Sequence, residues 1–172
     1  MSDNAAYSTF ETLRDGRSVE IRALHQDDRE AVLAMADRMS EQSRHFRFFG
    51  PKSSFSEAEI DYFTDANLVG HVVLVAVLEE ENQPLIVGGS RFIVMDGGRA
   101  ELALIVDDVH QGLGIATLMI RHLLAIAAES GIHELVAEVM PKNAAMLKVF
   151  RKLGSAATIK RGLDGMHVSI RC

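Results

Sequence analysis

The chain has 172 residues, 18 Lys and Arg against 24 Asp and Glu, a formal charge of −6 and 48% hydrophobic residues. That length and composition suit one domain with its own core and exclude a largely disordered chain. The acidic balance argues against a nucleic-acid partner, and a lone cysteine, Cys172, excludes an intrachain disulfide or a thiolate zinc site.

Residues 1–15 are polar and read as a loose leading segment, with the domain proper over 16–172. No basic stretch followed by an apolar run opens the chain, and no run of 18 apolar residues occurs. A cytoplasmic protein without a membrane partner is therefore expected. Residues 17–24 alternate as a first strand. Asp27 and Asp28 open an amphipathic run with Ala31, Val32, Met35, Ala36 and Met39 at helical spacing. A basic and aromatic stretch, Arg44 to Gly50, stops at Pro51. Ser56 and Glu59 form a capping box for a short helix to about Ala66.

A β region follows, with strands predicted over 71–78, 85–95 and 100–106. Residues 79–84 read as a solvated turn, and Gly88-Gly89 as the site of a bulge. Asp96-Gly97-Gly98 is a tight turn. The third of these strands is nearly all apolar, which predicts cover on both faces. Residues 112–130 have strong helical periodicity, ended by Gly131. A strand over 133–139, a helix ending at Leu153-Gly154 and two short strands close the chain. The elements predict an α+β fold around one central mixed sheet. Apolar edge strands near the C-terminus offer a surface on which a homodimer could form.

The loop before the long helix carries the chemistry. Gln111-Gly112-Leu113-Gly114-Ile115-Ala116-Thr117 joins a buried strand to a helix N-terminus. The first amides of a helix have no internal partner and its dipole is positive there, so this turn can cradle a pyrophosphate. A P-loop needs Lys-Ser or Lys-Thr after its second glycine, and none follows here. A dinucleotide turn needs a third glycine where Thr117 stands, and a strand that runs almost directly into the first glycine. An acyl-CoA cradle remains.

Gln111-x-x-Gly114-x-Ala116 resembles the Q/R-x-x-G-x-G/A signature of the GNAT N-acetyltransferase superfamily. Asn143, Met146, Phe150 and Lys152-Leu153-Gly154 resemble a second segment of that family. Leu13-Arg14-Asp15-Gly16 and the stretch from Ser40 to Phe49 are similar to the GNAT domains of bacterial protein lysine acetyltransferases. The resemblance covers roughly residues 18–171. It implies a GNAT-like fold, a mixed and mostly antiparallel sheet flanked by helices, with a V-shaped cleft between the fourth and fifth predicted strands. It implies acetyl-CoA as acyl donor, its pantetheine pairing with the backbone of Leu104 and Val106. The pyrophosphate would lie on the amides of Gly112, Leu113, Gly114, Ile115, Ala116 and Thr117, beside Gln111. Asn143 and Phe150 would border the pantetheine arm.

A lysine with a pKa near 10.4 is neutral only about once in a few thousand molecules at pH 7, so a general base is needed. Glu101, in an apolar strand just ahead of the thioester position, is the candidate, and burial would raise its pKa toward a useful value. Related lysine acetyltransferase domains carry a Glu there. Where the superfamily often has a Tyr that protonates the leaving thiolate, this chain has Phe150, which has no proton to give. With Cys172 at the terminus, direct attack without a covalent intermediate is expected.

The reading is thus an acyl-CoA-dependent N-acyltransferase, acetyl being the expected group. The acceptor is a primary amine, on a protein lysine or a small molecule. The alternative is a non-catalytic acyl-CoA sensor. The seven histidines show no paired ligand spacing, so no metal is expected. His122 reads as a packed helix residue, and His110 reads equally as a phosphate contact or as a surface loop residue. Arg44, His45, Arg47, Phe48 and Phe49 read equally as an acceptor pocket or as a helix end covering the sheet.

Overall fold

In a computed structural model, which describes residues 6–48, 56–65 and 70–172, the apolar runs assemble into one eight-stranded sheet. In chain order the elements are β1 (Ser8–Thr12), β2 (Ser18–Ala23), α1 (Arg29–Arg38), α2 (Glu41–Phe48) and α3 (Glu57–Thr64). Then follow β3 (His71–Glu80), β4 (Gln83–Val94), β5 (Arg99–Val106) and α4 (Ile115–Glu129). The chain ends with β6 (Glu134–Val139), α5 (Ala144–Arg151), β7 (Ala157–Arg161) and β8 (Met166–Arg171). Strands lie in the order β1-β2-β3-β4-β5-β6-β8-β7, all neighbours antiparallel except β5 and β6. The mixed α+β architecture is the expected one. Phe49, Pro51 and Ala66 lie outside the described residues.

Two sequence expectations need correction. Ser8–Thr12, within the segment expected to be loose, pairs along its whole length with β2. Its side chains alternate between exposed and half-buried, and as an edge strand it needs only one neighbour to satisfy its backbone. The six-residue turn over 79–84 contracts to two. Glu81 and Asn82 take φ of 51° and 61°, and Glu80 already pairs with Gln83. Two positive φ values make the mirror-image turn whose twist matches a hairpin, so the strands run on to it.

The expected bulge is present. Ala76 faces Gly88 and Val77 faces Ile86, which leaves Val87 as the extra residue of β4. A Cβ at Gly88 would lie 3.0 Å from Met119 Cε and 3.2 Å from the Ile105 carbonyl, so glycine there lets α4 seat on the sheet. Helix α4 buries Ile115, Met119, Leu123 and Ile126 in the main core with Leu74, Phe92, Leu102 and Leu104. On the opposite face Met35 of α1 packs with Val75, Val77 and Ile86. His122 of α4 is packed as expected, bonded to Tyr7 Oη through Nδ1 and to Glu11 through Nε2 at 2.8 Å.

The turn into α1 is fixed by Arg22, whose Nη1 and Nη2 donate to Asp28 at 2.7 and 2.9 Å. Burial alone would raise the Asp28 pKa; the bonds from Arg22 and the His25 amide outweigh it and hold it below the usual value. A depressed pKa stabilises the fold above the unfolded value, near 3.9, and that contribution vanishes as pH falls through the folded value. Asp28→Asn should therefore cost about 2 kcal/mol at pH 7, and the difference from the parent protein should shrink below about pH 4 in urea titrations.

Candidate functional site

Strands β5 and β6 pair only at Arg99–Glu134, Ala100–Leu135 and Glu101–Val136. Along its other edge β6 pairs with β8 from Glu134 to Val139, which draws it away from β5. From Leu102 onward the β5 edge facing β6 has no ladder partner, and a cleft of about 890 Å³ opens there. Glu101 stands on the last paired rung, at the vertex of the V. Leu104, Val106, Asn143 and Phe150 line the same cleft.

The cleft ends on the N-terminus of α4. Gly114 is its N-cap with φ of 94°, and Gly112 has φ of 81°, both in the region that favours glycine. The first intrahelical bond runs from the Leu118 amide to the Gly114 carbonyl at 3.1 Å, so Ile115, Ala116 and Thr117 precede it. No side chain caps the end and no acidic residue occupies the first turn. Of the predicted segment, residues 112–114 are loop and the helix begins at Ile115. Gln111 has a positioning part: its Nε2 donates to the Val106 carbonyl at 3.2 Å. Asn143 caps α5, its Oδ1 accepting from the Met146 amide at 3.2 Å. Phe150 is 1% exposed within the main core.

Sequence reasoning missed the groups that hold this loop. Asp107, 1% exposed, accepts from Arg38 Nε at 2.9 Å, and Arg38 Nη2 donates to the Ile86 carbonyl at 2.8 Å. Asp108 accepts from the Ser40 amide at 3.0 Å and from the Ser40 and Ser43 hydroxyls at 2.7 and 3.0 Å. Burial would raise its pKa, and those bonds outweigh it and hold it low. His110 is buried with Nε2 2.9 Å from Glu80, rather than standing free in the loop. Arg14 donates through its backbone to the Leu113 carbonyl and through Nη1 to the Gly112 carbonyl. With Arg47, Lys142, Lys148 and Lys152 it puts five cationic side chains on the cleft of an acidic chain, and Lys152 lies close to Arg14 and Lys148. Repulsion from Arg14, then burial and the charge of Lys148, lower the Lys152 pKa.

Glu101 departs from expectation. It is exposed, and β5 alternates rather than being buried on both faces, because α4 covers one face while α2 covers only part of the other. Arg47 of α2 lines the cleft with it, whereas Phe49 lies outside the described residues. Burial, then the charge of Arg91, push the Arg47 pKa down to about 10, opposed by Glu101. Burial likewise lowers Arg91, again opposed by Glu101. Among the described residues no group of three or more His, Cys, Asp or Glu could hold a metal ion, and no helix is long and apolar enough to cross a membrane.

The arrangement offers unpaired strand backbone, an open helix N-terminus and a basic rim. These suit an elongated anionic ligand carrying amide groups. The chain is 34% identical over 145 residues to Acetyltransferase PA5475 of Pseudomonas aeruginosa, covering 84% of this chain and 78% of that protein. It superposes on the GNAT domain of S. lividans PAT with a TM-score of 0.87 and 31% identity, over 96% of this chain and 97% of that one. A putative acetyltransferase, yncA of Salmonella typhimurium, solved with its cofactor acetyl-CoA, shares the fold with a TM-score of 0.64 and 22% identity, over 89% and 91% of the two chains. The Acetyltransferase (GNAT) domain family matches residues 18–156, and with the splayed β5 and β6 this chain belongs to that family.

Proposed function

We propose that the protein transfers an acyl group, acetyl first among them, from acetyl-CoA to a primary amine on a protein lysine or a small molecule. The observation that carries the reading is the V between β5 and β6, with a carboxylate at its vertex and the α4 N-terminus at its end. Amides at the α4 terminus would hold the pyrophosphate and the open β5 edge the pantetheine, with Arg14, Lys148 and Lys152 complementing the phosphates. Glu101 takes one proton from the substrate ammonium, directly or through one water, and the freed amine lone pair then forms the C–N bond, leaving the nitrogen of the tetrahedral intermediate cationic. The tetrahedral intermediate then collapses with cleavage of the C–S bond. Phe150 cannot protonate the departing thiolate, so that proton comes from the ammonium or from solvent. The same Phe150 favours the second reading, an acyl-CoA sensor, which would bind the donor without turnover.

Thermal melting with acetyl-CoA, CoA and NAD tests the donor. At 100 times the dissociation constant a native-state ligand adds about 2.7 kcal/mol, a rise of roughly 5–10 °C for a chain of this size. The rise is expected with both CoA species and not with NAD. Gly114→Val should abolish it, because a β-branched residue is strained at φ of 94° and crowds the cradle. Thiol release in an amine panel then separates enzyme from sensor. No shift with any CoA species overturns the proposal.

A further inference from the structure

On the sheet face away from α4 lies a second cavity, of about 90 Å³. Val32 and Met35 of α1 cover it, and Val75 and Gly89 form part of its floor. It adjoins the large cleft: Ala103 and Ile105 of β5, and Arg47 of α2, line both. We propose that this cavity receives the acyl chain of the donor, so that CoA thioesters with chains of about four to six carbons bind more tightly than acetyl-CoA.

The inference rests on the acyl-CoA reading and names the donor class that the site prefers. Three observations choose this occupant. The cavity joins the cleft along β5, the strand against which the thioester end of the donor would lie. Its lining is mostly aliphatic, with Ser90 and the side chains of Arg47 and Arg91 as the polar exceptions, and the aliphatic part suits an apolar chain. Its floor is kept low by glycine: a Cβ on Gly89 would meet only Met35 Cε, at 3.9 Å, so any larger side chain would grow into the space. One water-sized group needs roughly 15–30 Å³, so the cavity holds on the order of three to six methylene-sized groups.

The test is calorimetric binding of acetyl-, butyryl-, hexanoyl- and decanoyl-CoA to the full chain, with no acceptor present. Affinity should rise about fourfold per methylene, or more than tenfold from acetyl to butyryl, and fall again at decanoyl. Gly89→Val should erase the difference between acetyl- and butyryl-CoA, and Met35→Ala should move the optimum to a longer chain. If Gly89→Val does not fold, Met35→Ala carries the comparison. Acetyl-CoA binding with flat or falling affinity toward butyryl overturns the acyl pocket and leaves the donor reading standing. A butyryl gain untouched by both variants also overturns it. Failure of every thioester to bind overturns the donor reading and this inference together.

Discussion

Glu101→Gln is expected to lower the rate of amine acylation at neutral pH by about 10²–10⁴-fold, with acetyl-CoA affinity nearly unchanged. The argument is positional. Glu101 holds the last rung between β5 and β6, so its side chain lies where the strands part and not along the length of the cleft. It is exposed, so a proton taken from an amine can pass on to water. Arg47 of α2 and Arg91 of β4 lie near enough to feel its charge. Gln keeps the shape and removes both the charge and the base. Activity of the variant should then follow the amine's own ionisation and recover at high pH. Melting temperature and thioester affinity report any structural cost, since the loss also leaves the two guanidiniums without this neighbour. A variant with undiminished rate would make Glu101 an ion partner of Arg47 and Arg91 only.

The part of the site legible in the sequence is the part that is local. Gly112 and Gly114 announce a turn, and the periodicity from Ile115 to Ala127 announces a helix that must begin after it. Together these locate an anion cradle within a few residues. The Ser56–Glu59 capping box was legible for the same reason, and the structure has both of its bonds, at 3.2 and 2.7 Å. The supports of the cradle were not legible. Arg38 and Asp107 are 69 positions apart, as the separation in their bond shows, and Ser40 and Asp108 are 68 apart. Nothing in the hydrophobic pattern of α1 marks Arg38 as facing the sheet, because a charged residue at a helix end reads as a favourable dipole contact with solvent. The β1 strand was missed because Ser8–Thr12 is polar and half exposed. The exposure of Glu101 was missed because an apolar strand was read as buried on both faces, while the face of β5 that carries Glu101 is only partly covered.

Arg38→Ala should destabilise the fold by about 3–5 kcal/mol, more than a surface charge would, because it leaves a buried carboxylate without its guanidinium partner. Asp107 is 1% exposed, and the other basic group near it is His110, whose Nδ1 is 3.5 Å away. For a domain of this size the loss corresponds to roughly 6–20 °C in melting temperature. Arg38→Ala combined with Asp107→Asn should recover much of it, since the second change removes the buried charge. The pair also does geometric work. Arg38 reaches the Ile86 carbonyl, and the Asp107 amide donates to the Val87 carbonyl at 2.8 Å, so both carbonyls at the β4 bulge are tied to the loop that leads into α4. The bulge, which interrupts the β3–β4 ladder, thus supplies the acceptors that fix the entry to the cradle. Acetyl-CoA affinity of the double variant separates the two effects. Restored stability with weakened affinity is the expected result, because neutralising Asp107 removes the misplaced charge without restoring the link between α1 and the loop. Full recovery of both would mean that the pair stabilises the fold and leaves the cradle's shape to Asp108, Ser40 and Ser43.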